Sequence, residues 1–148
     1  MQTPSSLAAE HRKLHDVLGS AAKEGGELGC TAEELEKALG PHFRREEEIA
    51  TPPLGLLPKL AKGDATADMR AILPMTQALE RELPRMLQEH AIIREAVKTF
   101  RAAAEKAGRE EYVRFSDELA AHARQEEEIL YPAAVLVGRY IARTGPER

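Results

Sequence analysis

Apolar residues recur along the chain at the three- and four-residue spacing of amphipathic helices, and this pattern predicts helix over most of its 148 residues. Four long helices are predicted, and they cover about residues 5–24, 31–50, 66–107 and 110–131. Glycines after the first and third helices are typical helix stops. The second helix opens with "TAEE" at residues 31–34, which is typical of a capping box.

Prolines divide this helical pattern. Pro41 lacks a backbone donor inside the second helix and predicts either a kink or a fresh helical start. Pro74 and Pro84 predict a break and a further disturbance in the third helix. Residues 51–65, "TPPLGLLPKLAKGDA", form a linker whose leucines are expected either to cover the bundle or to form an oligomer contact, such as that of a homodimer. A short helical tail is predicted after Pro132.

The two halves of the chain are similar to each other. The matching segments are "AEHRKLHDVL" at 9–18 with "QEHAIIREAV" at 88–97, and "HFRREEEIATP" at 42–52 with "HARQEEEILYP" at 122–132. One helical hairpin is therefore used twice, over about residues 5–50 and 66–131. This organisation predicts an all-α, antiparallel up-down-up-down four-helix bundle that forms a single domain over residues 1–148.

Composition and charge narrow the functional classes. The net charge is -4 and both signs are interspersed, which argues against nucleic acid as a partner. Cys30 is the only cysteine, so no disulfide framework exists. The chain begins without an apolar signal segment, and its most apolar stretch is interrupted by Arg139. We therefore expect a cytoplasmic protein that does not bind membranes.

Four histidines are expected at one level of the bundle. In an antiparallel hairpin, residues equidistant from the turn lie side by side. The midpoint of His11 and His42 falls on the first glycine turn, and that of His90 and His122 lies within two residues of Gly108. Leucines at positions 39, 87 and 119, each three residues before a histidine, place the histidines on core stripes.

Glu46 and Glu126 follow His42 and His122 by four residues, so each shares a helix face with its histidine. Two buried carboxylates each cost several kcal/mol unless a cation lies between them. An arginine would serve, but four imidazoles and two carboxylates form a ligand set that suits iron, manganese or zinc. Two ions fit better than one, because each glutamate can then bridge.

Other polar residues have alternative interpretations. His15, one turn after His11, is either a fifth histidine ligand or a partly exposed neighbour, and the repeat favours the second because its counterpart is Arg94. Glu10 and Glu89 either orient the ligand imidazoles or are solvated. The outer two acids of each "EEE" triplet are expected to form a solvated face.

The order of a histidine on the first helix, HxxxE on the second, a histidine on the third and HxxxE on the fourth, followed by "ILYP", resembles the hemerythrin-like, or HHE cation-binding, domains. The resemblance covers about residues 7–142. It implies a non-haem di-iron centre, bridged by oxo or hydroxo, that reacts with dioxygen, nitric oxide or peroxide. By motif position it implies terminal ligands at His11, His42, His90 and His122 and bridging ligands at Glu46 and Glu126.

The chain also departs from the oxygen-carrying hemerythrins. Arg94 stands where they have a second histidine on the third helix, and Glu126 stands one position before their bridging aspartate. These differences favour redox chemistry, sensing or iron handling over reversible oxygen carriage. The sequence thus predicts a di-iron protein that binds or reduces a small ligand, with a non-catalytic metal-dependent sensor or iron-storage module as the alternative. The ferritin-like ExxH pattern is excluded, because leucine stands three residues before three of the histidines.

Overall fold

The computed structural model describes residues 2–144, and these residues are almost entirely helical. The α-helices are α1 (Ser5–Ala22), α2 (Gly26–Ile49), α3 (Leu57–Ala61), α4 (Leu73–Lys106), α5 (Glu110–Gln125) and α6 (Tyr131–Thr144). Two 3-10 segments and one π-helical segment join them, at Pro52–Leu56, Ala67–Ile72 and Glu126–Leu130. Within residues 2–144 there is no strand, which confirms the all-α prediction.

The four long helices form the predicted antiparallel up-down-up-down bundle. Helix α1 packs against α2, α2 against α4, and α4 against α5, and contacts between α5 and α1 close the ring. Glycines with positive φ lie in the turns that follow α1 and α4, with φ 72° at Gly25 and 68° at Gly108. None of the helices described in residues 2–144 is both long and apolar enough to span a bilayer.

Helix α2 begins at Gly26, so the predicted start at Thr31 is wrong. The capping box is wrong for the same reason. The Thr31 hydroxyl lies inside the helix and donates to the carbonyls of Glu27 and Leu28, each at 3.0 Å. A threonine side chain forms such bonds to the preceding turn readily, so the local sequence does not distinguish a cap from a helix interior.

The prolines affect the helices unequally. Helix α2 continues through Pro41, so a fresh helical start there is wrong. Pro74 lies in the first turn of α4, directly after the 3-10 segment, which confirms the predicted break. Helix α4 continues through Pro84. At the end of the fourth bundle helix, α5 stops at Gln125 instead of Tyr131, and the helical path continues through the π segment into α6.

The linker covers one end of the bundle. Leu54 is buried in an apolar cluster with Met86 and Tyr131, and Leu56 is buried in a neighbouring cluster with Ile72. Leu57 remains 42% exposed. The covering role predicted for the linker is therefore confirmed for its two buried leucines.

The core has two large apolar clusters. The cluster nearer the two glycine turns contains residues of all four long helices, among them Leu18, Leu35, Phe100 and Phe115. The other contains Ile49, Leu54, Leu79, Met86 and Tyr131. The predicted site residues occupy positions along the helices between these two clusters and are shielded from water on both sides.

Candidate metal centre

The six predicted site residues lie together in one buried cluster. Helix α1 provides one of them, α2 two, α4 one, α5 one and the π segment the last. In chain order they are His11, His42, Glu46, His90, His122 and Glu126, with 5%, 1%, 0%, 1%, 3% and 2% of their surface exposed. Their donor atoms form two groups that share both glutamates, and within each group all donors lie within 4.8 Å of one another.

The apolar spacing directs these side chains inward, with one exception. Leu39 and Leu119 are buried, as is Ile93 after His90. Leu87 is 40% exposed, so its assignment to a core stripe is wrong. Met86, one residue earlier, is fully buried in its place, because the rotation of α4 in the bundle turns that position toward the core.

The histidines form two pairs whose Nε2 atoms face each other. The Nε2 atoms of His42 and His90 lie 2.9 Å apart, and those of His11 and His122 lie 3.3 Å apart. Each pair joins one helix of one hairpin to one helix of the other. The cluster therefore has two halves, which we call the His42–His90 half and the His11–His122 half.

Each carboxylate directs one oxygen to each half. Glu46 Oε1 contacts His42 Nε2 and lies 3.8 Å from His90 Nε2, whereas Glu46 Oε2 lies 3.5 Å from His11 Nε2. Glu126 Oε1 lies 3.4 Å from His90 Nε2, and its Oε2 lies 3.4 Å from His122 Nε2. This arrangement is the one that two bridging carboxylates require.

Carboxylates outside the cluster contact the other ring nitrogen of three histidines. His90 Nδ1 lies 2.8 Å from Glu127, His122 Nδ1 2.9 Å from Glu10, and His11 Nδ1 3.3 Å from Glu47. Each contact is between different helices or segments. An Nδ1–H that donates to a carboxylate leaves the Nε2 lone pair free, so these contacts favour the tautomer that can bind a cation from inside the cluster.

The sequence predicted only some of these outer carboxylates, which contact the histidine Nδ1 atoms. Glu10 was one of the two residues expected to orient an imidazole, and it does contact His122. Glu89, the other, lies 3.8 Å from His42 Nδ1, too far for a hydrogen bond. Glu47 and Glu127 were expected on a solvated face, and helical period alone gave no signal that they reach histidines on other helices.

Arg94, which replaces a histidine of the oxygen carriers, supports one of these outer carboxylates. Its guanidinium donates to Glu127 Oε1 at 2.5 Å, the same oxygen that His90 contacts. Burial disfavours the charged form of Glu127, but hydrogen bonds from His90 and Arg94 outweigh it and hold the pKa of that carboxyl below its usual range. The arginine thus keeps Glu127 ionised as a partner for His90.

Tyr131 contacts the buried cluster, although in the sequence it stands out only as part of the "ILYP" motif. Its hydroxyl donates to Glu46 Oε1 at 2.6 Å and lies 3.3 Å from His42 Nε2 and 3.2 Å from His90 Nε2. Tyr131 stands five residues after Glu126, a spacing that an α-helix turns to another face. The π segment brings the two into line, and the Tyr131 amide donates to the Glu126 carbonyl. The "ILYP" ending was the only sequence signal.

The donor set fits a cation. Glu46 Oε2 is buried without a hydrogen-bond partner among residues 2–144, and such an atom is costly unless something electropositive faces it. Burial lowers the pKa of His90, but hydrogen bonds to Glu126, Glu46 and Glu127 outweigh it and raise that pKa to about 10. The same opposition raises the pKa of His122 to about 9. The cluster therefore stabilises positive charge, and nitrogen and oxygen donors of this kind suit iron, manganese or zinc.

The buried carboxylates of Glu46 and Glu126 also favour a cation in the cluster. Burial raises the pKa of Glu126, and the neighbouring Glu46 raises it further. Two carboxylates this close resist sharing two negative charges in a dry site, so they either keep a proton or hold a cation.

His15 lies outside the cluster. It is exposed on α1, one turn beyond His11, and lines a surface depression with Arg12 and Glu47. Its position agrees with the interpretation as an exposed neighbour instead of a fifth histidine ligand.

Comparison with known proteins gives a family and no individual relative. No curated protein and no solved structure matches the chain. The family model described as "Hemerythrin HHE cation binding domain" matches residues 4–134, which includes both hairpins and every residue of the buried cluster. The chain therefore belongs to the hemerythrin HHE cation-binding domain family.

Proposed function

We propose that the buried cluster holds two iron ions and that the protein binds or reduces a small ligand, namely dioxygen, nitric oxide or peroxide. One observation carries this proposal: Glu46 and Glu126 each direct one carboxylate oxygen to one histidine pair and the second oxygen to the other pair. His11 and His122 would hold one ion, and His42 and His90 the other. Manganese or zinc would suit the same donors.

An iron pair supplies Lewis acidity and electrons to a bound small ligand. The chain provides the conditions for that chemistry. Glu10, Glu47 and Glu127 contact the Nδ1 atoms of three imidazoles and so favour the tautomer in which the inward-facing Nε2 has a free lone pair. Phe43 stacks on His11 at 4.3 Å between ring centroids and covers it from the side. The apolar clusters on both sides exclude water, which strengthens electrostatic interactions inside the site.

The test is metal analysis with optical spectra of protein purified with and without air, followed by addition of nitric oxide and of peroxide. We expect close to two metal ions per chain and a spectrum that changes on addition of at least one ligand. His15→Ala is the matched control, because it removes an exposed histidine next to the cluster. Protein that binds no metal, or iron-loaded protein that responds to none of these ligands, would contradict the proposal.

A metal-dependent sensor or iron-storage module is the second candidate. Ile129, Leu136 and Tyr140 are 57%, 63% and 45% exposed and follow Glu126 along the same helical path. This apolar face continues from the π segment that contains Glu126. It would therefore suit a sensor in which binding or loss of metal changes contact with a protein partner or with a second copy of the chain. Negligible turnover of all three ligands, with an oligomeric state that changes on metal removal, would favour this function. Cytoplasmic location and a single domain over residues 1–148 remain predictions.

A further inference from the structure

We infer that Tyr131 is a seventh protein ligand, which binds through its phenolate oxygen to the ion held by His42 and His90. This inference rests on the proposed function and makes it more specific. The two halves of the centre would then differ: one has a phenolate among its donors and the other has none.

Donor spacing supports this assignment. Donors about 2.1 Å from one octahedral ion lie roughly 3 Å from their nearest neighbours. The His42 and His90 Nε2 atoms are 2.9 Å apart. The Tyr131 hydroxyl lies 2.6 Å, 3.2 Å and 3.3 Å from Glu46 Oε1, His90 Nε2 and His42 Nε2. Its oxygen therefore has the spacing of a member of this donor group.

Backbone geometry holds the phenol in that place. The π segment between Glu126 and Leu130 puts Tyr131 above Glu126, and Pro132 follows immediately. Proline cannot donate a helical hydrogen bond, and its ring crowds the carbonyl four residues earlier, so a regular α-helix is disfavoured there. Tyr131 itself is only 2% exposed and packs with Met86 and Leu54. The surrounding side chains thus restrict Tyr131 to the rotamer in which its hydroxyl contacts the cluster.

Among the described residues 2–144, the His11–His122 half of the cluster has no equivalent donor. In the first copy of the repeat, Thr51 occupies the position of Tyr131. The Thr51 hydroxyl bonds instead to the Thr3 hydroxyl at 2.8 Å, away from the histidines. The aromatic ring beside His11 is Phe43, which has no ligand atom. The ion at His11 and His122 would therefore have fewer protein ligands and more positions for a small ligand.

The hydroxyl changes its role when the ion binds. In the structure the phenol O–H donates a hydrogen bond to Glu46 Oε1. When the ion binds, the O–H bond would break and the proton would leave to solvent. An electron pair of the phenolate oxygen would then form the bond to the metal. Neither metal nor tyrosine changes oxidation state in this step.

The experiment uses chain loaded with iron(III). Phenolate bound to iron(III) gives a visible charge-transfer absorption, and excitation in that band enhances the tyrosine ring modes in the resonance Raman spectrum. We expect both signals in the wild type and neither in Tyr131→Phe, with metal content unchanged. Tyr112→Phe and Tyr140→Phe are the controls, since Tyr112 is buried in the other cluster and Tyr140 is exposed, and both should keep the signals.

A second measurement needs no variant and covers a Tyr131→Phe chain that fails to fold. Zinc is added to metal-free wild type, and the ultraviolet difference spectrum reports ionisation of tyrosine. We expect one tyrosinate per chain at saturation. Iron-loaded or zinc-loaded protein without tyrosinate signals would overturn the role of Tyr131 and leave the proposed function intact. Wild type that binds no metal would instead contradict the proposed function itself.

Discussion

Single residues outside the buried cluster determine how its imidazoles are presented. Glu127 is the clearest example, because one of its oxygens contacts both His90 Nδ1 and Arg94. A histidine that ligates a metal generally donates its other nitrogen to such a partner, which fixes the ring and increases its basicity. Arg94 therefore has a structural reason to stand where the oxygen carriers have a histidine: it holds the carboxylate that orients His90.

Glu127→Gln should weaken metal binding without abolishing it. The amide keeps the size of the side chain but removes the charge that orients His90, and the loss of such a partner typically costs about 10–100-fold in metal affinity. Competition with a chelator of known affinity measures the change. Glu128→Gln is the control, because Glu128 is the exposed third acid of the same triplet. Equal affinities for the two variants would show that the Glu127 contact does not act on the centre.

At the scale of the helices, a close approach between α4 and α6 and an ion pair between α2 and α4 position the helices that carry the site. Helix α6 approaches α4 so closely that a Cβ added to Gly138 would lie 2.1 Å from the Thr76 hydroxyl oxygen. Across the α2–α4 interface, Arg45 donates two hydrogen bonds to the Glu82 carboxylate, from Nη2 at 2.5 Å and from Nε at 3.1 Å. Helices α2 and α4 bear three of the six cluster residues, so these contacts affect the spacing of the donors.

Gly138→Ala should destabilise the protein by about 1–3 kcal/mol, the usual cost of overpacking. Helix α6 would have to move from α4, because the Thr76 side chain is itself buried. Chemical denaturation measures the change. Gly19→Ala is the matched control: its new methyl would meet nothing closer than a side-chain oxygen of Glu36 at 3.6 Å, and alanine is favoured over glycine inside a helix. A Gly138→Ala chain as stable as the control would contradict the close approach.

The Arg45–Glu82 contact should make stability depend on pH in the acid range. Hydrogen bonds from Arg45 outweigh burial and hold the pKa of Glu82 below its ordinary 4.5. A depressed carboxyl pKa contributes stability above the ordinary value, and this contribution is lost as pH falls through the folded-state pKa. Glu82→Gln should therefore cost roughly 0.2–1 kcal/mol near neutrality and nothing at low pH.

Unfolding of wild type and Glu82→Gln at a series of pH values tests this dependence. Glu34→Gln serves as the control, since Glu34 pairs with Lys37 on the same exposed helix face. A stability difference that persists unchanged below the ordinary carboxyl pKa would contradict the ion pair as its cause.

The whole molecule should couple folding to the candidate centre, because candidate ligands from α1, α2, α4, α5 and the π segment lie together in one buried cluster. Any cation bound there stabilises the folded chain over the unfolded one. The same site without a cation keeps two neighbouring carboxylates away from water, which is unfavourable.

Chelation should therefore lower the melting temperature by on the order of 5–10 °C, since metal at about 100-fold its Kd adds about 2.7 kcal/mol. Restoring metal should restore the melting temperature, as followed by circular dichroism. Glu126→Gln removes one shared carboxylate and should show little response to either treatment. Unchanged melting of the wild type after complete removal of metal would indicate that histidine–glutamate contacts are enough to stabilise the buried cluster without a cation.

The sequence by itself determined the helical fold and the meeting of six side chains. Periodicity fixes which residues share a helix face, the duplicated hairpin fixes how helices return, and the glycine turns fix the level of His11, His42, His90 and His122. Their roles as metal ligands remain predictions. Tertiary structure alone decided the outer contacts of Glu47 and Glu127, the exposure of Leu87, and the approach of Tyr131 to Glu46. These features depend on how each helix is rotated against its neighbours and on one π-helical turn. The apolar periodicity of a single helix gives no information about either.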